Sequence, residues 1–104
     1  MTLRQAAQDV IDGRQARKEI EHISSDTKIA RKCEVHRSVV ARIWAGLPTR
    51  LITGKDRLTV LSLKREQQRL LTIQRRNTME IAAYRNGVTA SAVRSELERM
   101  GVEV

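Results

Sequence analysis

The stretch TKIARKCEVHRSVVARIWAG, residues 27–46, decides how the chain is read. Ile29 and Ala30 share one face of a first short helix. Cys33 and Val35 close a tight turn from inside. Val39 or Val40, with Ile43 and Trp44, then form the apolar stripe of a second helix. Ala30 is small where a crossing helix needs room. The outward positions of the second helix, His36, Arg37, Ser38 and Arg42, are polar or basic. Ser24, Ser25 and Asp26 are all good caps for the first helix, and Gly46-Leu47-Pro48 stops the second. Glu34 holds the turn position where Gly is usual, because the backbone there tends to φ > 0. His36 stands where Ser or Thr commonly caps.

The same logic recurs near residue 87. Asn77 and Glu80 have the N-x-x-E spacing of a capping box, and Ile81, Ala82 and Ala83 follow. Asn86-Gly87-Val88-Thr89 reads as a turn with Gly in the left-handed position and Thr as cap. Val93, Leu97 and Met100 make the stripe of the last helix, which Gly101 ends. Segments beginning IARKCEV and AAYRNGV align in pattern with Ala30 on Ala83. Val102 and Val104 add a short terminal strand or fray.

Before the first pair, Leu3, Ala6, Ala7, Val10 and Ile11 recur at helical spacing, with Gly13 placed to end that helix. Ala16, Ile20 and Ile23 continue helically. This segment is expected to support the first pair, with residues 2–12 as a dimerisation helix in the alternative. Between the pairs, TRLIT and RLTVLSL flank Gly54-Lys55-Asp56 and read as a hairpin, favoured by β-branched residues at 52, 53, 59 and 60. The rival reading is a loop followed by a helix from near Asp56. From Ser62 the chain is strongly helical, with Leu63, Leu70, Leu71 and Ile73 apolar and Arg65, Arg69, Arg75 and Arg76 toward solvent. The expected fold is therefore mainly α: two tandem three-helix units, at 1–48 and 63–104, joined by a linker or hairpin at 49–62.

With 104 residues the chain makes one small domain or two very small ones. Trp44 and Tyr84 are the aromatic residues and Phe is absent, which suits a small helical bundle. The net charge is +8, and it is unevenly placed: residues 27–50 and 51–76 each carry +5, while 1–26 and 77–104 each carry −1. A basic middle of this kind attracts phosphate backbones. Cys33 is a single cysteine, so no intramolecular disulfide forms; its plain reading is a core thiol. With only His22 and His36 beside it, no metal site is expected. No apolar run is long enough to span a membrane, and no signal-peptide core is present. Asp9 with Asp12, and Glu19 with His22, are spaced like acid–base or metal pairs but read as solvated surface. Without a phosphate loop, nucleophile elbow or metal cluster, an enzyme is not expected, nor a cofactor.

Both helix pairs resemble the helix-turn-helix superfamily of prokaryotic DNA-binding proteins. The first, through Ile29, Ala30, Val35, Arg37, Ser38, Val40 and Ile43, is similar to units of phage and plasmid repressors and recombinases. The second, through Gly87, Val88, Thr89, Ser91, Val93 and Leu97, is similar to the G-V-[ST]-x-[ST]-x-V-x-x-x-L pattern of many regulators. The resemblance implies a small, phage- or plasmid-type transcriptional regulator that binds double-stranded DNA, with the recognition helix 36–46 in the major groove. His36, Arg37, Ser38 and Arg42 would face base edges, with Arg37 or Arg42 bidentate to guanine. Thr27 and Lys28 would touch phosphate, and Lys55 and Arg57 would do so from a wing-like hairpin. Thr89, Ala90, Ser91, Arg94 and Ser95 hold the matching places in the second unit. There Glu96 and Glu98 oppose phosphate, so that unit serves DNA or, in the alternative, structure and dimerisation. A homodimer is a further expectation, as is a cytoplasmic, nucleoid-associated location in a bacterial or phage-infected cell. The competing class is an adaptor that grips RNA polymerase or a replication or packaging protein. RNA binding is weaker, because stacking aromatics are scarce.

Overall fold

The computed structural model describes residues 2–49 and 54–103. Among them are α1 (Thr2–Glu19), a 3₁₀ turn (Ile20–Ile23), α2 (Asp26–Cys33), α3 (Arg37–Trp44), α4 (Gly54–Arg76), α5 (Met79–Arg85) and α6 (Ala90–Arg99). No described residue is in a strand, and the fold is mainly α as expected. The contacts divide the chain into two units. A central unit is Glu19–Leu70; a split unit joins Met1–Lys18 to Leu71–Val104. These boundaries differ from a division at 1–48, 49–62 and 63–104, and the long helices are the cause.

In the split unit, Ala6, Ala7 and Val10 of α1 form one buried cluster with Ala82 and Ala83 of α5 and Val93 and Leu97 of α6. Leu3, Ile11, Met79, Val88, Ala90 and Val102 surround it. So α1 supports the second helix pair, not the first. Its buried face is narrow, which lets backbone come close. Gly13 is the extreme case: a Cβ there would lie 2.9 Å from both the carbonyl oxygen and the Cβ of Asn77. Gly13 therefore does not end α1. It sits buried mid-helix, where Gly costs about 1 kcal/mol of helix propensity relative to Ala, because nothing larger fits.

In the central unit, Ile20, Ile23, Ile29, Ala30, Val40 and Ile43 are buried with Val60 and Leu70 of α4. The hairpin expected at 49–62 is absent where it is described: Gly54, Lys55 and Asp56 begin α4, and residues 50–53 lie outside the described residues. Thr59 and Val60 have strand propensity, but propensity is a weak prior that burial overrides. Val60, Lys64, Gln67 and Leu70 recur at helical spacing as the buried face of α4, and Asp56 in its first turn favours the helix dipole. Leu63, Leu71 and Ile73, expected on that face, are only half-buried. Two polar residues take their place. Lys64 Nζ donates to Asp26 Oδ1 at 2.7 Å and to Gln67 Oε1 at 2.8 Å, and Gln67 Nε2 donates to the Ile23 carbonyl at 2.9 Å. Trp44, expected in the α3 stripe, is 45% exposed; its ring centroid lies 5.8 Å from Lys64 Nζ.

The two short helix pairs share their first cap and their turn, 53 positions apart. Ser25 caps α2 by accepting from Lys28 N, and Thr78 caps α5 by accepting from Ile81 N. The α5 cap is thus Thr78, not Asn77, whose side chain instead accepts from Arg85 at 2.7 Å. Glu34 and Gly87 both take left-handed backbone, φ 56° and 68°. Val35 N donates to Ala30 O and Val88 N to Ala83 O, each at 3.0 Å. Ala30, Val40, Ala83 and Val93 are buried, but Met100, expected in the α6 stripe, is 37% exposed. After α6, Val102 N donates to Leu97 O in place of the terminal strand, and Val104 lies outside the described residues.

Candidate nucleic-acid interface

Burial of Val40 and Ile43 fixes which way α3 faces. Arg37, Ser38, Ala41, Arg42 and Ala45 are all exposed on the opposite side. His36 caps α3: its Nδ1 accepts from Ser38 N at 3.2 Å and lies 2.8 Å from Ser38 Oγ. Among the described residues Arg37 has neither hydrogen bond nor ion pair, so its guanidinium fork is free to take a carboxylate, phosphate or base edge. Ala41 and Ala45 keep the middle of this face low. Neither α3 nor α6 has an acidic residue in its first turn, whereas α2, α4 and α5 each do. The positive dipole ends of α3 and α6 are thus not neutralised by their own side chains.

Other expected contacts are more tied down. Lys28 Nζ donates to Glu21 O at 2.7 Å, and Arg42 Nη2 donates to Pro48 O at 3.0 Å, bracing the loop after α3. Arg57 is half-buried and donates to Thr49 Oγ1 at 2.9 Å, a link within the fold rather than a wing contact. Lys55 lies in the first turn of α4, and its side chain is outside the described residues. Thr27 is exposed at the start of α2 beside Arg31 and Lys32, two exposed bases not singled out from the sequence.

On α6, Ser91, Arg94 and Ser95 are exposed and Thr89 caps the helix, accepting from Ala92 N at 3.1 Å. Glu98 is exposed on the same face, and Glu96, buried, pairs with Arg99. Its outward chemistry is therefore mixed, where that of α3 has no acid. Elsewhere in the split unit, Asp9 accepts from Arg85 at 2.8 Å, Asn86 at 3.1 Å and Gln5 at 2.9 Å. Burial pushes its carboxyl up, but these hydrogen bonds and the Arg85 charge outweigh it and hold Asp9 below the ordinary aspartate value. Asp9 is a structural anion, not a solvated one. Cys33 is half-buried, and its thiol is pushed up by burial and by the Asp56 charge, the reverse of what a reactive thiolate needs.

Among the described residues no group of His, Cys, Asp and Glu is arranged to hold a metal ion, and no helix is long and apolar enough to cross a membrane. Comparison with protein-family models, curated proteins and solved structures gave no match.

Proposed function

We propose that the protein is a sequence-specific regulator of transcription that holds double-stranded DNA through two tandem helix-turn-helix units, with residues 36–46 as the major-groove reader. The observation that carries this reading is the outward face of α3: no acid, an Arg37 without a partner among the described residues, and two alanines that allow close approach. Lys28, Arg31 and Lys32 on α2 add positive charge beside it. Such a protein acts in the cytoplasm, on the nucleoid. Binding to duplex DNA should fall steeply and log-linearly with salt as Lys and Arg displace condensed counterions. Selection from a random duplex pool should return a defined site that Arg37→Ala no longer prefers. If the selected pool showed no sequence, or affinity did not respond to salt, the reading would fail.

The second reading is a protein-docking adaptor. It draws on the split unit, where Tyr84 is 89% and Ile81 46% exposed on α5. Contact through that surface should be insensitive to salt, and Tyr84→Ala would abolish it while leaving DNA affinity unchanged.

A further inference from the structure

Each unit takes its long helix from one half of the sequence and its helix pair from the other. The central unit holds α2 and α3 with residues 54–70 of α4; the split unit holds α5 and α6 with α1. The long helices correspond more loosely than the pairs, by the spacing of their buried positions and one residue out of step with the pairs. Ala6, Val10, Gly13 and Ala16 are buried on α1, and Val60, Lys64, Gln67 and Leu70, each 54 positions later, are buried on α4. Gly13 lies against Asn77, just ahead of the Thr78 cap, and Gln67 donates to Ile23 O, just ahead of the Ser25 cap. Lys64 meets Asp26, the first residue of α2; Val10 belongs to the cluster that Met79, the first residue of α5, packs against. We infer that the chain is two copies of one repeat with their long helices exchanged, and that these contacts make each long helix selective for the other repeat's helix pair.

The wrong pairings are blocked by named residues. If α4 lay on α5 and α6, Lys64 would be buried against Met79 without a carboxylate, and Gln67 would occupy the place where even a Cβ is 2.9 Å from Asn77. If α1 lay on α2 and α3, Asp26 would face Val10, and Gly13 would leave Ile23 O without its donor. Two copies of one half would thus form a poorer assembly than one copy of each.

The test uses the full-length protein with a protease site placed between Thr49 and Gly54, cut after folding. The two fragments are expected to stay together at the elution volume of the uncut chain. Separated in denaturant and refolded apart, neither should recover helical circular dichroism, and mixing should restore it. Fragments that part on cutting, or either fragment folding by itself as stably as the mixture, overturn the inference. In the cut protein, Lys64→Asp should weaken association by about tenfold or more, and Asp26→Lys added to it should recover most of the loss. No loss, or no recovery, removes Lys64 and Asp26 as the selecting contact. Gly13→Gln supplies a second, steric arm: association should fall, whereas unchanged association overturns the role of Gly13.

Discussion

The central and split units solve the same packing problem with opposite chemistry. Both seat a long helix under a short helix pair, with matching caps and a matching left-handed turn. In the central unit the seat is polar: Lys64, Gln67, Asp26 and the Ile23 carbonyl. In the split unit it is apolar and tight, built on Val10, Met79 and Gly13. The outward faces differ too, α3 without acid and α6 with Glu98. The lesson is that turn geometry, not surface chemistry, is what the two pairs share.

The largest effect expected on this comparison comes from Val40→Asp, which places an unpaired charge at a fully buried site and should cost more than about 3 kcal/mol. Val93→Asp should do the same to the split unit, and urea unfolding of each variant would show whether both units depend equally on this position. A normal melting curve for either would break the equivalence. Gly13→Ala comes next. Although Ala gains about 1 kcal/mol of helix propensity, the clash with Asn77 should leave the protein less stable by about 1–3 kcal/mol. A more stable Gly13→Ala protein would mean that the tight seat is not tight.

Arg37→Ala should cost about 1–3 kcal/mol in binding to the selected DNA site and relax specificity at one position. Arg94→Ala, beside Glu98, should cost less; titration of both variants ranks the two faces directly. Glu34→Gly should stabilise by about 1 kcal/mol, since Gly removes the strain of a left-handed Glu, and Gly87→Ala should destabilise by a similar amount. The smallest effect concerns acid. Because Asp9 is held below its ordinary value, its stabilising contribution is present above about pH 4 and is lost as pH falls through the lower folded value. Asp9→Asn should flatten acid unfolding there by about 1 kcal/mol or less, measured as stability against pH.

The local part of this fold was legible. Ser25, Gly87, Thr89 and the buried valines Val40 and Val93 act within a few residues, and the turns formed where they stand. What was not legible was the company the long helices keep. An alanine-rich face such as that of α1 fits many neighbours, and Gly13 reads as a stop until Asn77 is seen against it. Nothing near Lys64 in the chain marks it as buried, because its partner Asp26 is 38 residues away. Of the candidate site, exposure of His36, Arg37, Ser38 and Arg42 followed from helical period alone. The anchoring of Lys28, Arg42 and Arg57 did not, since Glu21, Pro48 and Thr49 hold them from outside their own helices.

The exchange of long helices also sets an order of assembly during synthesis. The central unit is contiguous and is complete once residue 70 is available. The split unit must wait: α1, made before α5 and α6, keeps its alanine face uncovered until they exist to receive it. Closing that long loop belongs to the slow, non-local class of folding steps. Over that interval the growing chain holds a finished central unit and an uncovered α1.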